Sequence, residues 1–436
     1  MAASQPATVG SVAPFLAKAP PISIPMRHFV FAAVAFWVFA AAFFLGSGRF
    51  LGFNFQALWV LGLVHTLTLG WITMSIFGAL CQLTPVLWEI PLPNPGLVKL
   101  AWWCFAIGLV GFVGHLWADL QNFWMPAALA VLGVFFYLFV FWKAILLAKK
   151  LDWTGTHLAL SLGYLSIVVI LGLLLAYDRE MGILFSDPEG VLIAHIHLAL
   201  VGWVSLTIMG VSYRLVSMFT LAHLESKTPG RLALVLVNAG LIGLAADCLF
   251  FGGRLLPLWS VILVLGGAAY LYQMRRIFAA RNRRIDPALG FTILALLGGA
   301  VWAALGLSLA FGWLPDTTNM RVAYIFAAIL GWITPFILGQ IHKIVPFLVW
   351  LHLYNPSRGF APGIKLPKMQ DLTSQTIAWM ELAALTPAIY IGIAAFLMKS
   401  EILIRVSALF FLAAATLYLI NTGLTLKHLK WSPYSA

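Results

Sequence analysis

Stretches of nearly unbroken apolar residues, separated by short polar breaks, run the whole length of the chain. They fall at about 28–46, 57–80, 98–118, 126–147, 157–176, 191–213, 231–251, 256–274, 289–311, 321–343, 374–397 and 402–424. Each is near the ~20 residues that a helix needs to cross the hydrocarbon of a bilayer. Backbone N–H and C=O groups in lipid must be bonded within their own segment, so each stretch predicts a helix. The predicted fold is an all-α integral membrane protein of about 12 transmembrane helices.

Composition narrows the function classes. Of 436 residues, 62% are hydrophobic and 9% charged, with a mean hydropathy of +0.98. A soluble domain is nearer half apolar and about a quarter charged. A water-soluble globular protein, a disordered tail and a nucleic-acid-binding module are excluded, and the lipid bilayer is the first partner. The formal charge of +12 describes orientation. With the N-terminus inside, only Arg49, Arg179, Arg254, Arg321, Lys399 and Arg405 of the 26 basic residues fall in outward segments. Arg358, Lys365 and the RRIFAARNRR run at 275–284 are among those that fall inside. Cytoplasmic loops collect Lys and Arg, so both termini are expected in the cytoplasm of a multi-pass bacterial inner-membrane protein. The basic run then reads as a topology determinant and lipid-phosphate anchor. Residues 1–27 read as a short cytoplasmic tail, because no basic start leads directly into an apolar run. Cys81, Cys104 and Cys248 show no CxxC spacing and predict no structural disulfide. The outward loop 177–190 carries Asp178, Glu180, Asp187 and Glu189, either as solvated charge or as a dock for a basic partner.

An internal repeat organises the helices. Residues 65–87 (HTLTLGWITMSIFGALCQLTPVL), 197–219 (HLALVGWVSLTIMGVSYRLVSMF) and 326–348 (FAAILGWITPFILGQIHKIVPFL) align without gaps. Gly70, Gly202 and Gly331 coincide, as do Trp71, Trp203 and Trp332, then Thr73, Ser205 and Thr334. Ile76, Ile208 and Ile337 follow, then Gly78, Gly210 and Gly339. The copies are 132 and 129 residues apart (Gly70 to Gly202 to Gly331) and occupy the second, sixth and tenth spans. This predicts three four-helix units, 28–150, 151–285 and 286–436, about a pseudo-threefold axis. The paired glycines let helices, or a flat cofactor, approach the backbone. Ordinary helix packing is the plainer use of them.

Ionisable residues within spans are functional candidates. His65 and His197 share one repeat position, where the third copy has Phe326. Two imidazoles at one depth could clamp a heme iron from both sides. His195 lies two residues before His197, about 200° around the helix, so the pair addresses two compartments. The alternative is that these rings bond neighbouring carbonyls. Arg254 and Arg321 stand just outward of the histidines, where heme propionates would need counter-charge. Asp247 and Glu381 are either proton-relay groups or helix-end residues paired with Lys or Arg. His115 is a further metal-ligand candidate. His342 reads as interfacial, His157 as the start of the fifth span, and His28, His223, His352 and His428 as loop or interface residues. Lys343 and Arg214 are expected to snorkel.

The segment HIHLALVGWVSLTIMGVSYRLVSMF resembles the HxH helix of heme-copper oxidase catalytic subunits, most closely the cbb type. In that family the pattern is H-x-H, then L-G-W, then G-x-x-Y-x-L-V-P, within 12 helices in three units with both termini inside. The resemblance implies that His65 is the second-helix heme ligand, His197 its partner and His195 a high-spin ligand. Two departures stand out. The family carries HxH on the tenth helix, and this chain carries it on the sixth. The seventh span, RLALVLVNAGLIGLAADCLFF, has no histidine, whereas the family places copper ligands there. The resemblance therefore implies a divergent member lacking the copper ligands, with one bis-histidine heme b. Its expected role is electron transfer or the handling of nitric oxide or oxygen in respiration. An active terminal oxygen or nitric oxide reductase and a factor for oxidase assembly or heme and copper delivery are the alternatives. A quinol, a cytochrome or another respiratory subunit would be the partner.

Overall fold

The computed structural model describes residues 18–50, 57–223, 227–353 and 367–430. Residues 1–17 of the predicted tail, Arg358 and Lys365 lie outside them. The described residues form helices, with no strand among them. Twelve helices are long and apolar enough to cross a membrane: α1 Ser23–Leu45, α2 Leu58–Trp88, α3 Pro95–Trp117, α4 Trp124–Leu147, α5 Trp153–Met181, α6 Pro188–Thr220, α7 Thr228–Phe250, α8 Leu256–Ala279, α9 Pro287–Ala310, α10 Thr318–Leu353, α11 Gln375–Leu397 and α12 Glu401–Lys430.

Local chemistry sets their ends. Asp152, Asp187, Asp286, Ser374 and Ser400 cap α5, α6, α9, α11 and α12, each accepting a backbone N–H from the first turn. Such a cap satisfies one of the donors that a helix start leaves open. Pro95, Pro188 and Pro287 sit in first turns, where a missing N–H costs nothing. Helices α2 and α10 run about a turn or more past their predicted inner limits. Hydropathy drops there at Gln, Thr and Pro, but α2 unwinds only at Glu89, whose φ of 56° is left-handed.

Neighbours follow a regular order. Helix α1 packs on α2, α5 on α6 and α9 on α10, while α3–α4, α7–α8 and α11–α12 form tight hairpins. Further contacts run from α4 to α5, from α8 to α9 and from α12 back to α1, which closes the ring. The glycine pairs decide how close the first helix of each pair lies. A Cβ at Gly78 or Gly210 would meet the Cβ of His28 or His157 at 2.8 or 2.6 Å. At Gly339 it would meet the Ala288 carbonyl at 2.6 Å. Lipid tails are as apolar as leucine, so close van der Waals contact at small residues holds these helices together.

The sequence did not predict one backbone feature. Helices α2, α6 and α10 each contain a π-helical turn, at Thr66–Thr73, Leu198–Ser205 and Ala327–Ile333, in matching repeat positions. A π turn disturbs the regular carbonyl ladder, and in an apolar interior the displaced groups need other donors. Hydroxyls supply them: Thr66 donates to Gly62 O at 2.8 Å, Thr68 to Val64 O at 2.8 Å and Ser205 to Leu200 O at 2.6 Å. The repeat tryptophans lie at the same level. Trp203 Nε1 donates to Thr73 Oγ1 at 3.3 Å and Trp332 Nε1 to Ser205 Oγ at 3.0 Å. At the third such joint, Trp71 Nε1 and Thr334 Oγ1 are buried without hydrogen-bond partners among the described residues.

The tightest crossing is that of Gly298 on α9 with Gly331 on α10, where a Cβ on Gly298 would run into the Gly331 carbonyl. Gly298→Val should cost at least about 2 kcal/mol through overpacking. Gly423→Ala places its Cβ in open space. Thermal unfolding in detergent should show a clearly lowered midpoint for the first variant and none for the second. Equal midpoints would overturn the close crossing.

Candidate functional site

A cavity of about 920 Å³ lies in the half of the bundle that holds the histidines. Its wall is mostly Leu, Val, Phe and Ala, with His65, His195 and His197 among the few polar side chains. That pattern, an apolar enclosure with a few placed polar groups, is the usual one for a bound small molecule or cofactor.

His65 and His197 each immediately precede a π turn. His65 Nδ1 bonds Leu61 O at 2.7 Å and His197 Nδ1 bonds Ile193 O at 2.8 Å. A ring that donates from Nδ1 to a carbonyl carries its lone pair on Nε2, the atom that can accept a proton or bind a metal. The carbonyl bonds weighed as an alternative to ligation are therefore present. They orient the rings and leave Nε2 available.

The three histidines then divide. His195 faces α5, where Gly172 leaves room for its ring; a Cβ at Gly172 would lie 3.0 Å from His195 Cε1. His195 Nδ1 is buried without a hydrogen-bond partner among the described residues. His65 stands edge-on to Phe112 of α3, with ring centroids 5.0 Å apart. His197 turns the other way, and its Nε2 lies 3.0 Å from the Tyr324 hydroxyl of α10. His65, His195 and His197 all line the same cavity. His195 and His197, expected to address two compartments, have different neighbours there, Gly172 of α5 and Tyr324 of α10.

Tyr324 is the residue the sequence reading missed. Counting back 129 from Tyr324 reaches His195, the offset that relates Gly331 to Gly202. The two also pack alike, His195 over Gly172 and Tyr324 over Gly306. Extending the repeat alignment two residues upstream would have shown that position.

The arginines behave differently. Arg321 lines the cavity mouth but is already held by carboxylates, bonding Asp316 through Nε at 2.6 Å and Nη2 at 2.7 Å, and Glu189 at 2.5 Å. Its Nε and Nη2 hydrogen bonds hold Asp316 below the usual carboxylate range. Arg254 is exposed in the turn after α7 and does not line the cavity. The acidic loop is likewise used internally: Asp178 accepts Leu184 N–H, Glu180 accepts Phe123 N–H, and Asp187 caps α6. Asp247 accepts the Leu255 N–H at 2.8 Å and so braces the turn beyond α7.

The reading of His28 needs correction: it is fully buried within α1, which begins before its predicted start, and its Cβ packs on Gly78. His157 stands near the start of α5, as expected, is buried, and packs its Cβ on Gly210. His28 reaches the Tyr137 hydroxyl at 2.6 Å. His342 Nε2 lies 3.0 Å from Glu381 Oε2, so Glu381 pairs with an imidazole rather than Lys or Arg. Lys343 pairs with Asp286. His115 bonds Gly111 O and stands outside the cavity. Among the described residues, no three or more His, Cys, Asp or Glu side chains converge as a metal site. No family model matches the chain, and no curated protein is significantly similar to it.

The clasp at the cavity mouth has a pH signature. A carboxyl held low when folded stabilises the protein above its unfolded pKa of about 3.9, and that contribution disappears as pH falls through the lower folded value. The difference in melting temperature between wild type and Asp316→Asn should be largest at neutral pH and shrink toward zero below about pH 3.5. A difference that does not change with pH would rule the clasp out.

Proposed function

We propose that the chain is a heme b-binding integral membrane protein of the heme-copper oxidase subunit I type, working in electron transfer or in the handling of oxygen or nitric oxide. The observation that carries this reading is that His65, His195 and His197 line one large apolar cavity. Two imidazoles suffice as protein ligands to a six-coordinate heme iron, and burial and neighbouring hydrogen bonds then tune its potential. When bound, the heme would supply a one-electron couple. The chain's own contributions are the Leu61 carbonyl that orients His65, the buried Nδ1 of His195, and the glycine that makes room for its ring. The part of the cavity with His197 on Tyr324 is where a small ligand or a second heme would be handled.

The architecture is part of the proposal. Three four-helix units, 28–150, 151–285 and 286–436, are arranged about a pseudo-threefold axis. Support comes from the recurring neighbours, the three π turns and the Trp-to-hydroxyl bonds. In each unit the first helix packs on the second at repeat glycines, so unit boundaries fall in the loops before α5 and α9. The excess of basic residues at the end opposite the cavity supports cytoplasmic termini in a bacterial inner membrane. A quinol, a cytochrome or another respiratory subunit would then exchange the electron.

Purified protein expressed with heme supply should show a low-spin b-type signal in reduced-minus-oxidised spectra, with about one heme per chain by pyridine hemochrome. His65→Ala and His195→Ala should each abolish that signal. His197→Ala should leave it in place and alter only the binding of carbon monoxide or nitric oxide. Protein that carries no heme would end the proposal. Loss of the signal on replacing His197, with His195 dispensable, would overturn the pairing.

A further inference from the structure

At the end of the bundle opposite the histidine cavity, a second pair of titratable groups is buried. Glu381 on α11 is 0% exposed, and His342 on α10 retains 9% of its side-chain surface. His342 Nε2 and Glu381 Oε2 are 3.0 Å apart. Among the described residues, Glu381 Oε1 has no hydrogen-bond partner. Phe291 of α9 stacks on the imidazole, with ring centroids 5.4 Å apart and planes 21° apart. Tyr418 of α12 stands edge-on to it at 6.0 Å. The neighbouring Lys343 pairs with Asp286, so these two charges neutralise each other. Neither His342 nor Glu381 lines the large cavity.

An ionised carboxylate this deep is costly without a compensating charge, so the pair draws in a proton. One proton shared by the pair satisfies that condition in two ways: imidazolium beside carboxylate, or imidazole beside carboxylic acid. Both are neutral overall, so a proton can cross the 3.0 Å contact without exposing net charge to the interior. His342 Nε2 is committed to Glu381 and Nδ1 is the ring's other nitrogen, so the imidazole has the two-ended form of a proton shuttle. Glu381 in turn keeps one oxygen unused, and Tyr418, edge-on to His342, meets Trp71 at 5.5 Å.

We propose that His342 and Glu381 form a proton-exchange site open to the basic end of the bundle, with His342 as the entry and Glu381 as the internal store. A proton from water adds to His342 Nδ1 and gives the imidazolium. The Nε2 proton then passes to Glu381 Oε2, leaving the Nδ1–H tautomer and a neutral carboxylic acid. Return of the Glu381 proton to Nε2, with loss of the Nδ1 proton to water, restores the first state. No oxidant or reductant is needed, and no heme.

Infrared difference spectroscopy of the full-length protein in detergent, across a pH series and on transfer to deuterium oxide, tests this. Wild type should show a carboxylic-acid carbonyl band that titrates as one proton and is lost in Glu381→Gln. In His342→Phe, which keeps the stack on Phe291, deuterium exchange of that band should slow at least tenfold. His342→Gln, which can still bond the carboxyl but cannot relay a proton, should slow it equally. A merely structural pairing would leave exchange as fast in the glutamine variant as in wild type, and that result overturns the proposal. So does a wild-type protein with no band that depends on Glu381.

Discussion

Close backbone approach at paired glycines is the constraint on which the structure depends. In a bilayer, apolar surface gains little by leaving lipid for protein, so helices associate where small residues permit dense contact. Each glycine pair on α2, α6 and α10 receives the preceding helix of its neighbour pair, and Gly298 meets Gly331 almost backbone to backbone. That approach pins three long, mostly buried helices at the centre of the ring. Their π turns, tryptophans and histidines are consequently held in defined positions relative to one another.

The cavity is the counterpart of that tight packing. Beyond the glycine level the helices carry Gly172, Gly306 and small alanines, and space opens around His65, His195 and His197. Several polar groups there have partners within the protein before any cofactor binds. Carbonyl bonds set the tautomers of His65 and His197, the Tyr324 hydroxyl occupies His197, and Arg321 ties Asp316 to the start of α6. A preorganised apolar enclosure of this kind spares a bound group the cost of ordering its surroundings.

The two ends of the bundle divide the titratable groups. One end has imidazoles with a carbonyl or hydroxyl partner around a cavity; the other has an imidazole sharing a proton-sized contact with a carboxyl in a packed interior. His342 was hard to place from its neighbours in the chain. It sits beside Lys343 near a predicted helix end, and hydropathy alone puts such a residue at the interface. Its burial follows from α11 and α12, which come from sequence about 40 and 75 residues away and cover it.

The sequence alone determined the membrane-spanning helices, because apolar length is a local property that the bilayer reads directly. It also determined the repeat positions and the histidines as the residues of interest, since ionisable groups are rare in such spans. Tertiary structure decided which ring meets which. A π turn changes the angular phase of everything beyond it, and facing partners lie on helices more than 100 residues apart in the chain. Equal repeat position singled out His65 and His197, but only the fold shows that His197 meets Tyr324, two residues before its own repeat counterpart Phe326.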